Sequence, residues 1–544
     1  MKSEDVSAPA FSRSLTRRQI VGTLAGVMVA MLLSALDQTV VGVAMPRIVA
    51  DLGGFNQYTW ATSIYMITSA VTVPIVGKLS DMYGRRLFYV IGIIIFTAAS
   101  LGCGLSSTMT MLIVLRGIQG IGGGIMMTNS FTVIADVFPP AERAKYQGLL
   151  TAVFSFASVI GPTTGGFLTD NISWSWIFFI NIPIGAIAVL IFIKFFPKFK
   201  IENVKHSIDI PGVMALVLMV VPAMLALSWG GVKYAWDSYV IIGMLVFAGV
   251  MLGLFLFLEH RAEEPIIPLH IFKNRIVAIS NLTSFLTGMG MFGAIMFIPL
   301  FLQGVLGASA TASGNMQIPQ SIAVMIASIL AGQLISRLGH YRLFGIISMV
   351  IICTGMFLLS RLNTGSLYWH VIMCNVIIGF GLGVTMPVFT IAIQNTVPYS
   401  LLGVATSSNT FIRSFGGSIG LAVLGSIMNN RFLSAFTGNI PESVKSAVPM
   451  EEITALAHNP QALVNPAAQV QLKEMLTQPG MAANIFDQVM QTLREALSSA
   501  ISGSFLIGFM ILLVGLIAAF FFKGKVSHES AEPPGKIPGN PPPR

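Results

Sequence analysis

The sequence predicts an all-α, polytopic membrane protein with fourteen transmembrane helices. Hydrophobic residues make up 54% of the 544 residues and charged residues only 10%, whereas a soluble protein carries about a quarter charged residues. Apolar stretches of about eighteen or more residues recur along most of the chain, and each is long enough to cross about 30 Å of hydrocarbon as a helix. Because these stretches are continuous and do not alternate with polar residues, a β-barrel is excluded.

Hydropathy places the spans in order along the chain. They lie near residues 20–46, 59–76, 87–105, 110–134, 146–168, 175–193, 211–229, 238–258, 276–303, 316–336, 343–360, 369–393, 403–427 and 499–522. The first span carries Asp37, the fourth Arg116 and the thirteenth Arg413, whereas the seventh and eighth contain no acidic or basic residue.

The basic residues indicate topology. The formal net charge is +9, and a basic chain can bind nucleic acid. With a cytoplasmic N-terminus, however, most Lys and Arg residues fall on the cytoplasmic side, and only Arg47, Lys233 and Arg361 lie in short loops on the other side. The charge balance therefore predicts that both termini are cytoplasmic and gives no support for binding to nucleic acid.

The cysteines do not indicate redox or metal chemistry. Cys103, Cys353 and Cys374 all fall within predicted spans, so neither a disulfide framework nor a zinc site of the usual spacing is expected. We expect no metal and no cofactor.

A short pattern occurs twice, each time between paired helices. GKLSDMYGRRLF (77–88) follows the second span, and GQLISRLGHYRLF (332–344) follows the tenth. The positions that match are Gly77, Leu79 and Gly84 in the first copy and Gly332, Leu334 and Gly339 in the second. The pattern indicates a duplication of six helices with two helices inserted between the copies; the alternative is a simple tight turn between two membrane helices.

The duplication divides the chain into segments. They are a cytoplasmic tail (1–15), an N-terminal six-helix bundle (16–197), a two-helix insert (198–262), the first five helices of the C-terminal bundle (263–428), a long extracytoplasmic loop (429–497), the last helix (498–523) and a disordered cytoplasmic tail (524–544). Helix-like spacing in the loop predicts amphipathic surface helices, and the proline-rich composition of the C-terminal tail predicts disorder.

Six motifs together resemble those of one transporter family. They are LDQTVVGVAMP (36–46), GKLSDMYGRR (77–86), LIVLRGIQGIGGG (112–124), ASVIGPTTGG (157–166), WSWIFFINIPIG (174–185) and EEPIIPLHIFKNR (263–275). On these motifs the chain resembles the fourteen-span drug:proton antiporters of the major facilitator superfamily. The resemblance implies two six-helix bundles that face each other across a central cavity, with the two inserted helices outside them.

The resemblance also implies a cytoplasmic gate. The gating motif comprises Gly77, Asp81, Gly84, Arg85 and Arg86, together with Asp136 as the ion-pair partner of Arg85. Asp81 ends the second span, and we expect it near the helix that starts around Leu401, because a helix N-terminus attracts anions.

The fifth span carries an antiporter motif, which comprises Gly161, Pro162, Gly165 and Gly166. Proline kinks a helix, and the glycines are expected to allow close crossing with a helix of the opposite half. The resemblance implies a seal against leak. One departure from the family is Gly42, which stands where Asn is usual and removes a polar neighbour of the first-span carboxylate.

Asp37 stands among apolar residues, although an acid at the centre of a membrane helix costs about 2.5–3.5 kcal/mol. One interpretation is a carboxylate that reaches the interface or caps a helix. The residues that share its helical stripe are Ser34, Gln38 and Val41. This polar stripe predicts an aqueous cavity in which a proton and a cationic substrate compete for the charge of Asp37.

Arg116 cannot titrate usefully, so we expect it to bias the protonation of a neighbour or to donate hydrogen bonds to the first helix; a structural ion pair is the alternative. No Asp or Glu falls within a span of the C-terminal half, which predicts a preference for monovalent cations. The predicted proton-coupling residues are Asp37 and Arg116, and the predicted cavity residues are Ser34, Gln38, Gln119 and Arg413.

These features predict a secondary active exporter, in the plasma membrane of a prokaryote, that expels lipophilic organic cations in exchange for protons. No G-x-x-x-x-G-K-[ST] motif occurs, so ATP is not the expected driving force. The expected partners are these substrates, protons and membrane lipids, with no obligatory protein partner. The alternatives are an exporter of lipids or amphiphilic metabolites, a channel, and an intramembrane enzyme, for which no catalytic motif is found.

Overall fold

The computed structural model describes residues 16–52, 58–196, 207–231, 233–440 and 485–522. Within these ranges the fold is all-helical, and fourteen helices are long and apolar enough to cross a membrane. The main helices of these spans are α1 (Arg17–Leu52), α2 (Tyr58–Tyr83), α3 (Arg85–Gly104), α4 (Met109–Val137), α5 (Pro140–Asn171), α6 (Asn181–Phe195), α7 (Ile210–Trp229), α8 (Tyr239–Arg261), α9 (Arg275–Leu300), α10 (Ile318–Leu338), α11 (Tyr341–Leu359), α12 (Tyr368–Gln394), α13 (Leu402–Gly438) and α14 (Ile485–Phe520). The sixth span, Trp176–Phe195, also includes the short helix Trp176–Phe179 that precedes α6. The predicted fold class is confirmed, whereas the cytoplasmic position of the termini stays a prediction.

The repeated sequence pattern has a backbone cause in both halves. Gly84 joins α2 to α3 with a φ of 91°, and Gly339 ends α10 with a φ of 66°. Residues with a Cβ rarely adopt such angles, so each copy of the pattern needs glycine at this turn. We call the side of the molecule that holds these two turns the basic face.

Each half has its own apolar core. In the N-terminal half, Leu33, Tyr89 and Phe192 belong to one buried cluster, and the rings of Tyr89 and Phe192 stack with centroids 4.2 Å apart. In the C-terminal half, Met349 and Phe505 belong to a second cluster. Because lipid is as apolar as these side chains, the packing is stabilised mainly by van der Waals contact and not by exclusion of water.

The two halves touch at the basic face through small residues. A Cβ added to Gly77 of α2 would overlap Ser407 of α13, and one added to Gly332 of α10 would overlap Ala144 of α5. Glycine at these positions lets helices of opposite halves approach closely. The described conformation is therefore closed at the basic face.

The inserted helices differ in their contacts. On α7, Leu216 and Val220 belong to a buried cluster with Ile67 of α2 and Phe411 of α13, so α7 lies along the seam between the halves. On α8, a Cβ added to Gly243 would meet no atom within 4 Å. Helix α8 is therefore peripheral.

The loop predicted over 429–497 is corrected at both ends. Helix α13 continues to Gly438, and α14 begins at Ile485. Hydropathy marks the part of a helix that lies in hydrocarbon, whereas these helices extend beyond it with polar residues. The remainder of the loop (441–484) and the two predicted tails (1–15 and 524–544) lie outside the described residues.

Candidate functional site

A buried carboxylate joins three helices of the N-terminal half. Asp37 of α1 is 1% exposed, and its Oδ2 forms an ion pair with Nη1 of Arg116 on α4. Its Oδ1 accepts hydrogen bonds from Nε2 of Gln119 at 2.8 Å and from Nδ2 of Asn181 on α6 at 3.1 Å. Both oxygens therefore have partners, as a charge removed from water requires.

Arg116 is enclosed by its neighbours and is also 1% exposed. Its Nη1 donates to Oε1 of Gln119 at 2.7 Å, and its Nε donates to the carbonyl oxygen of Ala61 at 3.2 Å. The guanidinium carbon lies 4.5 Å from the centre of the Tyr65 ring, whose hydroxyl is 3.3 Å from Oγ of Ser34. The charges of Arg116 and Asp37 balance, so the pair is neutral.

Sequence reasoning missed two residues of this cluster, Ser100 and Asn181. Oγ of Ser100 on α3 accepts from Nε2 of Gln119 at 2.7 Å and from Nδ2 of Asn181 at 3.3 Å. Asn181 carries a usable signal, because an amide inside the apolar run WIFFINIPIG requires a partner in the membrane. Ser100 carries little signal, since a serine can bond to its own helix.

The predicted polar stripe of α1 divides into a buried part and an open part. Ser34 and Asp37 are buried, and Gln119, predicted to line the cavity, is 0% exposed. Gln38 is only half-buried, and Gly42 is exposed, with no atom within 4 Å of an added Cβ. In this conformation Asp37 does not face an aqueous cavity, because its partners on α4 and α6 cover it. The structure corrects that part of the prediction.

The turn between α2 and α3 forms an ionic latch at the basic face. Arg85 forms ion pairs with Asp136 and with Asp81, the latter at 2.6 Å. The carboxylate of Asp81 in turn accepts from the backbone N–H groups of Gly403 at 3.2 Å and Val404 at 3.0 Å, in the first turn of α13. A carboxylate there satisfies unpaired N–H groups and interacts favourably with the helix dipole. Both contacts predicted for this motif are present.

Further contacts at the basic face have no counterpart in the predictions. Nη1 of Arg143 on α5 donates to the carbonyl oxygen of Gln394 at 3.4 Å and to Oδ1 of Asn395 at 3.1 Å. Nε2 of Gln147 lies 3.3 Å from Oε1 of Gln394. Arg86, in contrast, donates to the carbonyl oxygen of Ile193 at 2.8 Å, within its own half. The closure at this face is therefore polar as well as close-packed.

The antiporter motif contacts a different helix from the one predicted. A Cβ on Gly161 of α5 would overlap Thr39 of α1, and one on Gly165 would lie 2.9 Å from Cγ1 of Val40. Helix α1 belongs to the same half, so the expected crossing of these glycines with the opposite half is wrong. Pro162 lies inside α5, and Gly166 comes no closer than 4.0 Å, to Val43. The motif therefore packs α5 beside the Asp37 segment.

Arg413 of α13 stands apart from the Asp37 cluster. Its side chain is half-buried, and it makes no hydrogen bond or ion pair with any residue that the structure describes.

Two six-helix halves, an ionic latch between them and a buried charge pair define a membrane transporter. The chain matches the Major Facilitator Superfamily over residues 27–421 and belongs to that superfamily. It is a multi-pass membrane protein that transports its substrate and is not an enzyme.

The chain is similar to bacterial proteins named for multidrug transport. It is 40% identical over 513 residues to the multidrug transporter protein MdtP of Bacillus subtilis (strain 168), covering 94% of each chain. It is 36% identical over 516 residues to multidrug resistance protein 3 of the same organism, covering 94% of this chain and 96% of the relative.

Among solved structures, it resembles the human organic anion transporter MFSD10. The TM-score is 0.58 at 13% identity, covering 91% of this chain and 99% of that chain. At this identity the likeness concerns the fold alone.

Proposed function

We propose that this transporter exports lipophilic organic compounds in exchange for protons, with Asp37 as the residue that takes up and releases the proton. The observation that carries the proposal is the buried pair of Asp37 and Arg116, which joins α1 to α4. Intramembrane carboxylates are commonly functional, and the names of the bacterial relatives support organic compounds as substrates.

Protonation of Asp37 changes the packing that its charge holds in place. The ionised carboxylate accepts bonds from Arg116, Gln119 and Asn181, and such charge-assisted bonds are about twice as strong as neutral ones. A protonated carboxyl weakens them and leaves Arg116 as an unbalanced buried charge, which is costly. The proton therefore favours a different arrangement of α1 relative to α4 and α6, and proton binding is coupled to movement.

The latch supplies the second element of an alternating-access cycle. It holds the basic face closed in the described conformation, through Arg85 and Asp81 against the start of α13. Since positively charged loops stay on the cytoplasmic side, we propose that the basic face is cytoplasmic, in the plasma membrane of a prokaryote. The cycle uses the proton as its coupling ion and needs neither a cofactor nor an obligatory protein partner.

The preference for monovalent cations stays a prediction. It depends on a carboxylate that a cation can reach, and Arg116 neutralises Asp37 in the described conformation. A cation therefore binds Asp37 only in a conformation in which Arg116 has moved away. The second candidate function, export of amphiphilic metabolites, is favoured by one observation, the half-buried Arg413 that has no partner among the described residues.

Proton flux tests the proposal directly. Purified protein in liposomes that contain a pH-sensitive dye should release protons when a lipophilic substrate is added, and Asp37→Asn should abolish this release because an amide does not titrate. The matched control is Asp51→Asn, which makes the same change in a side chain that is 43% exposed and forms an ion pair with the exposed residue Arg47. Substrate-driven proton flux at the wild-type rate in Asp37→Asn would rule out this role for Asp37.

A further inference from the structure

Arg413 lies deep in the membrane part of α13. It is about 16 Å along the helix from Leu402, since each residue rises about 1.5 Å. The predicted span begins at residue 403, so in hydrocarbon about 30 Å thick this distance places Arg413 near the middle of the membrane. A cation at such a depth normally has a partner or faces water.

The contacts of α13 give the direction of this side chain. Residues seven apart share a helix face, and Arg413 is seven residues from both Thr406 and Gly420. Oγ1 of Thr406 accepts from Nε2 of Gln394 on α12 at 3.1 Å, and Gly420 packs directly against Met289 of α9. Arg413 therefore lies on the face that α13 turns towards α9 and α12.

This face is on the interior side of the C-terminal half. Ser407 of α13 packs against Gly77 of α2, and Phe411 packs in the cluster of the inserted helix α7. Both lie on other sides of α13 from Arg413. Helices α9 and α12 are the first and fourth of their half, as α1 and α4 are in the other. Arg413 thus occupies the inner side of its half, and its partial exposure makes it accessible to a small molecule.

The charge of Arg413 is not balanced within the described residues. None of the ion pairs among the described residues includes its guanidinium. Asp37 is already paired with Arg116, and Asp81 and Asp136 are engaged in the latch. Arg413 is therefore a cation within a membrane helix that has no carboxylate partner among the described residues.

We infer that Arg413 is a substrate-recognition residue that binds the carboxylate of amphiphilic organic acids, a class of substrate beyond the cations predicted from Asp37. The guanidinium is planar and binds a carboxylate through two parallel N–H···O bonds. A bound carboxylate balances the charge that burial otherwise leaves unpaired, and the apolar part of the acid lies among the surrounding membrane helices. That the acid is exported rests on the proposed function, whereas its binding does not.

Binding to protein in nanodiscs, without a proton gradient, tests the inference. The probes are pyrenebutyrate, its methyl ester and the cation ethidium, with binding to empty nanodiscs subtracted. Wild type should bind the acid more tightly than the ester. Arg413→Gln should weaken acid binding about tenfold or more and leave the ester and ethidium unchanged, because a charge-assisted bond is lost. Arg413→Lys keeps the charge but not the two-bond geometry, so its affinity for the acid should lie between those of the wild type and Arg413→Gln.

The control is Arg431→Gln, which makes the same change on the same helix in an exposed side chain and should leave acid binding unchanged. Equal binding of acid and ester by the wild type overturns the inference without any variant, as does unchanged acid binding in a folded Arg413→Gln. If acid binding depends on Arg413 but no substrate-driven proton flux is found, the proposed function is contradicted and this inference is not. If substrate-driven proton flux is found but acid binding does not depend on Arg413, this inference is contradicted and the proposed function is not.

Discussion

At the scale of single residues, Asp37 and Arg116 stabilise each other because both are buried and each supplies the other's countercharge. Removing one partner of a buried pair leaves an unbalanced charge and costs about 3–5 kcal/mol, whereas removing both charges avoids that cost. Comparing the stability of a single variant with that of the double variant therefore shows whether the two charges depend on each other.

We expect Arg116→Gln to be strongly destabilised, and the double variant Asp37→Asn with Arg116→Gln to recover much of the loss of about 3–5 kcal/mol. Thermal unfolding of the purified variants in one detergent measures the order. The double variant should still lack substrate-driven proton flux, which separates the role of the pair in stability from its role in coupling. If the double variant proves less stable than Arg116→Gln, the two charges act independently.

At the scale of helices, the latch joins the end of α2 to the start of α13. Asp81 is the central residue, because it binds Arg85 and also two N–H groups of α13. The sequence places Asp81 at the end of a span and predicts that it lies near the helix that starts around Leu401. Because Asp81 contacts α13, it connects the N-terminal half to the C-terminal half.

Asp81→Asn should weaken the latch, because an amide loses the charge that favours both Arg85 and the helix N-terminus. We expect the open form of the basic face to gain population. Spin labels at Glu142→Cys and Leu338→Cys, both exposed at this face, measure the distance between α5 and α10 by pulsed resonance spectroscopy. A longer distance should appear or grow in the variant.

The control for this experiment is Glu263→Gln, which makes the same chemical change on an exposed side chain of the same face. The distance distribution of this control should match that of the spin-labelled protein that carries no further substitution. Identical distributions in Asp81→Asn and in this control would mean that the latch does not set the equilibrium between the two forms.

At the scale of the whole molecule, closure of the basic face depends on helices that approach each other closely at glycine residues. Gly332 of α10 lies against the backbone of Ala144 on α5, and an added Cβ would overlap it. Close-packed interfaces tolerate added atoms poorly. We therefore expect this contact to be either made completely or fully separated when the halves move.

Gly332→Leu should hold the basic face open, lengthen the distance between the two spin labels and slow transport by about tenfold or more, since overpacking costs roughly 1–3 kcal/mol in the closed form. Gly243→Leu is the control, because α8 leaves open space at that position. It should transport like the wild type, as expected if the peripheral inserted helix makes no substrate contact. Transport at the wild-type rate by Gly332→Leu would mean that complete closure is not part of the cycle.

The sequence by itself determined the number and order of the membrane helices. Hydrocarbon thickness sets a minimum length for each apolar run, and this property is local. The sequence also identified Asp37, Arg116 and Arg413 as candidate functional residues, because a charged residue within an apolar run is recognisable without knowing how the helix packs. The motif around Asp81 and Arg85 was also recognisable from the sequence, because the local backbone of its turn requires glycine at position 84.

Only the tertiary structure decided which groups Asp37, Arg116 and Arg413 contact. Asp37 and Arg116 are 79 residues apart in the chain, and Asp37 and Asn181 are 144 residues apart. Such pairs depend on how each helix is rotated about its axis and how closely small residues let it approach a neighbour, and neither leaves a local pattern in one sequence. For that reason the polar stripe of α1 was predicted to face water, whereas packing against α4 and α6 covers Asp37. The sequence likewise did not show that Arg413 has no partner among the described residues.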